Sequence, residues 1–408
     1  MPFSSEALST FKSWLSGCGG HFNGAAQLVE DSCGISVIAQ DIVPADTNIV
    51  SCPFSLAITR DISLEALYAL MGEAFKTDLE NLSERQLICI YICFHWVFPE
   101  RSLPSPLKHL PYIKTLPLPE KLMTPLHFSS SERDAFKGSN LYGASVDREE
   151  QWKAEWVACQ GIIQKANEEW GRSVTWERYL TASTYLSSRA FPSSLLSKNP
   201  TIKYSPSSYP ILLPGVDALN HARGQPVSWV VAEGVENTSQ PSIALVSHVT
   251  TPAGQEIFNN YGPKPNSELI LGYGFSLPQN PDDTIILRVG GSINKWEIGR
   301  DAQGADGLWA EIVSLVAEDP AEPTYEDDLG ATDALLSMLE TMLMRLPSII
   351  DDDVESASIR PSVKVMLQHY IQGQRDILLS LVAMARKKRT EAVEAASAQG
   401  IDLVFEDE

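Results

Sequence analysis

The sequence predicts an α+β protein: a β region split by a long helical insertion, then an all-helical C-terminal region. Three observations predict it. Two short runs rich in β-branched residues, Ile35 to Ala39 and Asn48 to Ser51, read as strands joined by a turn around Pro44-Ala45-Asp46. From Leu64 to about Trp96, and again from Arg148 to Gly171, the apolar residues recur at spacings of three and four, the helical period. After about Thr181 short apolar segments return, separated by glycine, proline and asparagine, and from Ala302 the helical spacing takes over again. The divisions expected are residues 1–60, the insertion 61–178, a second β part 179–285 and a helical domain 286–408.

Taken in order, "GCGG" at residues 17 to 20 follows no strand and reads as a flexible N-terminal turn. "LEALYALMGEAF" and "ERQLICIYICFHWVF" read as helices. A proline-dense stretch, "PERSLPSPLKHLPYIKTLPLPEKLMTPLHF", is too rich in proline for regular structure and too apolar for a free linker, so it is expected to wrap the helical surface. Trp152, Trp156, Cys159, Ile163, Ala166 and Trp170 fall on one helical stripe, expected to pack into the core, with Gly171 ending the helix. In the C-terminal region "TDALLSMLETMLMRLP" has a polar start and a proline stop, and "DILLSLVAMARKKRTEAVEAA" reads as a long helix ending before Gly400. The acidic run Glu318 to Asp328 and the triplet Asp351 to Asp353 read as solvated connections.

Composition narrows the function. With 44% hydrophobic and 20% charged residues the chain is an ordinary globular one. The N-terminal stretch lacks the basic and apolar regions of an export signal, and no window reaches the length of a membrane span. An intracellular protein, in cytoplasm, nucleus or both, without a membrane partner is expected. The six cysteines form no CxxC pair, so neither a metal cluster nor a disulfide framework is expected. A formal charge of −21 repels a phosphate backbone and suits a basic protein partner better than direct nucleic-acid contact. A monomer is expected.

No GxGxxG after a strand, no GxxxxGK[ST], no HExxH and no GxSxG occurs, which removes the common nucleotide, zinc-protease and hydrolase chemistries. Three polar or aromatic knots remain: "SSRAF" (Ser187 to Phe191), "DALNH" (Asp217 to His221) and "FNNYGPKPNSELILGYGF" (Phe258 to Phe275). With "GISVIAQDIVPADTNIVSCP" before them, these pieces occur in the order found in SET-domain protein methyltransferases. The chain resembles the subgroup of the Rubisco large-subunit and ribosomal-protein lysine methyltransferases. The long insertion matches that subgroup. So does the C-terminal region, where "IRPSVKVMLQHYIQGQRDILLSLV" resembles the arginine-containing core helix pair of its substrate-binding domain.

The resemblance implies a knotted SET fold, in which the segment after "NNYG" packs beside or under an earlier loop, and S-adenosylmethionine as cofactor. It implies methylation of a lysine on a non-histone protein, with ribosomal proteins as the leading substrate class. Two alternatives accompany it: a histidine acceptor on the same fold, as in the subgroup's actin-modifying member, and a non-catalytic protein-binding module. By the resemblance Tyr261 is the catalytic tyrosine, orienting methyl group and amine; a tyrosine near its ordinary pKa of about 10 is no strong base at neutral pH. Asn220, His221 and Arg189 are implied in cofactor binding, with Phe275 packing beside it. The backbone of Gly34 and Ile35 joins them where the family has a glycine-x-glycine loop and this chain has "SCGISV". Tyr273, Trp229 and Asp217 are implied on the substrate side. Each has a plainer alternative: Asn220 and Asp217 as turn caps, His221 and the aromatics as core, Arg189 as a structural ion pair.

Overall fold

The computed structural model describes residues 5–30, 34–197, 200–201, 207–232, 240–347 and 358–403; Ser32, Cys33 and the triplet Asp351 to Asp353 lie outside them. The chain forms two compact units. The first comprises residues 1–122 and 147–263, the second residues 123–146 and 264–408.

In the first unit the strand Ile35–Ala39 forms as its β-branched run dictates and pairs antiparallel with Ala26–Glu30. Beside this hairpin stands a four-stranded antiparallel sheet in the order His21–Phe22, Thr47–Pro53, Ser242–Ser247, Val227–Ala232. Val37, Ile49, Val50, Ile243, Leu245 and Ile257 are fully buried in one core. The helix Glu84–Val97 opens with a Ser83–Gln86 capping box and buries every side chain from Leu87 to His95. Its apolar residues surround it rather than forming a stripe, as suits a helix packed on all sides.

Several expectations change. "GCGG" ends a helix, Ser5–Gly17, and is no loose turn: a Cβ on Gly20 would lie 2.5 Å from Leu15 Cδ1. The proline-dense stretch is built of short turns, and it buries His109, Tyr112 and Leu116 rather than coating a surface. The tryptophan stripe breaks at Asn167, not Gly171, because the Asn167 side chain accepts from the backbone N–H groups of Glu169 and Trp170 and so starts a new helix. Helix also persists past Thr181, over Trp176–Arg189, where β texture was expected.

The second unit packs the helices Asp306–Val316, Tyr325–Arg345 and Pro361–Ala398 around Leu308, Leu335, Leu339, Leu378 and Leu381. The expected helix pair from Arg360 onward is one continuous helix. The end of the acidic run is helical, since Thr324 and Asp327 make a capping box that starts Tyr325–Arg345. The boundary expected at residue 285 falls inside this unit. Segment 123–146, expected in the insertion, belongs here because buried Glu132 accepts from Arg360 Nε at 2.7 Å and Nη2 at 2.8 Å.

Candidate active site

In the first unit, residues 254–259 lie between two partners far away in sequence. On one side Gly254 N–H donates to Ala39 O (2.7 Å) and Ile257 N–H to Val37 O (2.8 Å). On the other, Asn259 N–H donates to Asn220 O (2.7 Å) and Ala222 N–H to Asn259 O (2.9 Å), a parallel bridge between His221 and Asn259. The segment that enters this position is the one leading into Tyr261; the segment after it, expected to pack beside an earlier loop, meets the Met123 and Thr124 backbone at Gly274. The reason lies in the backbone: residues 254–259 have main-chain partners on both edges, and the chain passes to the second unit at Lys264.

That pairing places three of the expected side chains. The Tyr261 ring stacks on His221 with centroids 5.1 Å apart and planes 22° apart. Tyr261 N–H donates to His221 Nδ1 at 3.0 Å, which puts the proton of a neutral imidazole on Nε2. The Tyr261 hydroxyl donates to Leu219 O at 2.9 Å. Asn220 Nδ2 donates to Ser36 Oγ (3.0 Å) and Glu256 Oε1 (2.8 Å), bracing the strand Ile35–Ala39 against residues 254–259. Both amide hydrogens are thereby used, so a ligand would meet its Oδ1 or its backbone.

Arg189 closes the helix Trp176–Arg189, and its Nη1 donates to Asp217 O (3.0 Å) and lies 3.5 Å from Asp217 Oδ2. Its Nε and Nη2 have no partner among the described residues. Asp217 is buried. Its oxygens accept from Tyr112 Oη (2.6 Å) and Gly215 N–H (3.1 Å). Burial pushes its carboxyl up, against the opposing pull of Arg189 and Tyr112. Both Asp217 oxygens are thus engaged by the protein, beside Arg189.

Gly34 has φ +137°, a conformation that favours glycine, and a Cβ there would lie 3.2 Å from Pro117 Cγ. The Ile35 side chain is buried in the core, leaving its backbone for any contact. Trp229 sits on the edge strand Val227–Ala232, edge-on to Phe191 at 6.4 Å, and its buried Nε1 has no acceptor among the described residues.

Tyr273 and Phe275 belong to the second unit. Their rings meet edge-on at 6.2 Å, and Lys264 Nζ stands 5.8 Å from the Tyr273 centroid. Burial pushes the Tyr273 hydroxyl up. Tyr273 ends a π-helical turn, Leu269–Tyr273, stopped by Gly274 at φ +81°, where a Cβ would lie 2.7 Å from the Met123 carbonyl carbon, and Phe275 follows.

A clasp that the sequence reading missed supports this segment. Buried Asp283 accepts from Asn266 N–H (2.8 Å), Asn266 Nδ2 (3.2 Å) and Arg300 Nη2 (3.2 Å), while Asn266 Oδ1 accepts from Leu277 N–H (2.8 Å) and its Nδ2 donates to Leu277 O (3.0 Å). Residues 266–277 are thus closed into a loop by one amide side chain. Ser36, Glu256 and Tyr112 were missed too, although Ser36 and Asn266 stood inside motifs singled out.

With this geometry in hand, solved structures supply the class. The chain matches the SET domain of LSMT bound to lysine and AdoHcy with a TM-score of 0.75 and 18% identity, over 97% of this chain and 94% of that one. It matches Rubisco LSMT bound to AdoMet with a TM-score of 0.74 and 17% identity, over 98% and 97%. The chain has the SET-domain fold with the helical C-terminal region of these proteins.

Among sequences, ribosomal lysine N-methyltransferase set10 of Schizosaccharomyces pombe is 33% identical over 255 residues, 62% of this chain and 42% of that protein. Ribosomal lysine N-methyltransferase 1 of Saccharomyces cerevisiae is 27% identical over 214 residues, 45% and 34%. Protein-lysine N-methyltransferase EFM1 of the same yeast is 36% identical over 241 residues, 52% and 39%. The matched stretches cover less than half the length of each of these relatives. No protein-family model matches the chain. Among the described residues no group of side chains could hold a metal ion, and no helix is long and apolar enough to cross a membrane.

Proposed function

We propose that this chain is an S-adenosylmethionine-dependent protein-lysine N-methyltransferase acting on a non-histone protein, with ribosomal proteins as the leading substrate class. The observation that carries the reading is the pairing of residues 219–222 with 259–261, which stacks Tyr261 on His221 and fixes its hydroxyl on Leu219 O. The names of the sequence relatives, and the ligands of the structural neighbours, support the same chemistry.

The residues present fit the cofactor. Its carboxylate needs a cation with donors to spare, and Arg189 Nε and Nη2 answer that need. Its polar edges need backbone groups and an acceptor. Gly34, Ile35, the Asn220 Oδ1 and the Nε2–H of His221 are assigned there, with Phe275 as packing surface. When bound, the cofactor supplies a methyl group on a sulfonium, a good leaving group.

The chain's own part is alignment and desolvation. Tyr261 donates its hydroxyl hydrogen to Leu219 O, which leaves the lone pairs of its oxygen to accept from polarised C–H and N–H groups. A lysine amine, ordinarily near 10.4, attacks only when neutral, and stripping water from it favours that form. Trp229 and Tyr273 are assigned as the aromatic surfaces that do so. Asp217 is assigned a positioning role through Arg189. A basic target suits a chain of charge −21.

The test is transfer of tritiated methyl from S-adenosylmethionine to a ribosomal-protein fraction, with the acceptor residue identified by tandem mass spectrometry. Tyr261→Phe is expected to lower transfer about 100-fold or more with folding intact. Undiminished transfer, or label on histidine, would contradict the reading.

A further inference from the structure

The second unit carries a groove for which the methyl-transfer reading has no use. One wall is the strand Thr284–Leu287 with Arg288 just beyond it, and the other is the helix Tyr325–Arg345; the space between is about 540 Å³. Ligand sites of this size are ordinary, and the question is what fits.

The helix answers first. It lines the groove with Ala334, Ser337, Met338, Thr341, Met342 and Arg345, the i, i+3, i+4, i+7, i+8, i+11 series that makes one face. Its acidic Asp333 and Glu340 fall about 100° away on the neighbouring face. Carboxylates are therefore absent from the lining, although the chain as a whole has 52 acidic against 31 basic residues.

The charges present are Arg288 and Arg345. Both are exposed, and neither has an ion-pair partner among the described residues. The floor is apolar and adaptable: Met338 and Met342 come from the helix and Leu287 from the strand, whose Ile286 remains 53% exposed. Asn140 Nδ2 donates to Ile286 O at 3.0 Å and so occupies the backbone edge of the strand, which leaves side chains rather than strand addition as the means of recognition.

We propose that this groove docks an acidic amphipathic segment of a partner protein. Its apolar side chains sit on Ile286, Met338 and Met342, and its carboxylates pair with Arg288 and Arg345. An arginine at each wall with methionines between them matches a peptide that alternates apolar and acidic faces. The claim goes beyond methyl transfer and needs no turnover.

The experiment is fluorescence anisotropy with the full chain and three labelled probes: a helical-period peptide of leucine and glutamate, its counterpart with lysine for glutamate, and a single-stranded RNA oligonucleotide. The leucine–glutamate peptide is expected to bind saturably and to weaken as salt rises. Arg288→Glu with Arg345→Glu should weaken it about tenfold or more, and Met338→Ala should weaken it with charge intact. The conservative pair Arg288→Lys and Arg345→Lys should keep most of the binding. Equal binding by the reversed and parent chains, equal binding of the lysine peptide, or tighter binding of the RNA would each overturn the proposal. Methyl transfer measured on the same variants separates the two claims, since peptide binding by a Tyr261→Phe chain should equal that of the parent.

Discussion

Two buried arginine–aspartate pairs, one in each unit, look alike and do different work. In the first unit Asp217 meets Arg189; in the second Asp283 meets Arg300. Burial pushes both carboxyls up while the arginine opposes it. The difference is how far each arginine is used. Arg300 engages all three of its nitrogens, Nε with Asn280 O, Nη1 with Asp376 and Nη2 with Asp283. Arg189 uses Nη1 alone. An arginine engaged at all three nitrogens is a fastener; one engaged at a single nitrogen fastens its aspartate with two nitrogens over. The two tyrosine segments differ in the same way: Tyr261 is held by backbone pairing, whereas the Tyr273 segment depends on single side chains that one substitution can remove.

The largest effect is therefore expected in the second unit. Asp283→Ala leaves Arg300 short of a partner and opens the Asn266 loop, and should lower unfolding free energy by about 3–5 kcal/mol in urea titration. Asp283→Asn, which can keep one acceptor, should cost less; equal loss for both would argue against the clasp. Next, Gly274→Ala forces a left-handed conformation and a contact with the Met123 backbone, and about 2 kcal/mol of stability should go. Smaller again, Arg189→Lys keeps a charge for Asp217 but loses the fork. S-adenosylmethionine binding by calorimetry should weaken about tenfold with stability nearly unchanged. The reverse pattern, intact binding and a large drop in stability, would make Arg189 as structural as Arg300.

The smallest effect is one of pH. Burial lowers His95 from the ordinary 6.5 to about 4 and His109 to about 3. Their folded values lie below the unfolded one, so the stabilisation is complete above about pH 6.5 and is lost as pH falls toward the folded values. Between pH 7 and 6 the loss should be about 1 kcal/mol, measurable as a fall in Tm. A Tm that rises over that interval would mean these imidazoles are charged in the fold.

What was legible in the sequence follows from what is local. The strand Ile35–Ala39 could be read from its own residues, and the motifs that bring His221 and Tyr261 together were legible because they keep their order along the chain. The break at Asn167 was a capping choice, equally open in the sequence to a continuing helix. Ser36 and Glu256 could not be found, since what matters about them is that Asn220 reaches both. Asp283 resembled any acidic loop residue until Asn266 and Arg300 surrounded it. Tertiary polar partners of this kind leave no periodic signal, and they decide whether an arginine is spare or spent.

The most direct measurement is the methyl acceptor itself. Ribosomal proteins incubated with the chain and S-adenosylmethionine, then analysed by tandem mass spectrometry, should carry methyl groups on specific lysines, and the Tyr261→Phe chain should leave those lysines unmodified. Methylation equal in both samples, or none in either while the cofactor binds, would contradict the assignment of Tyr261 and of the chemistry built around it.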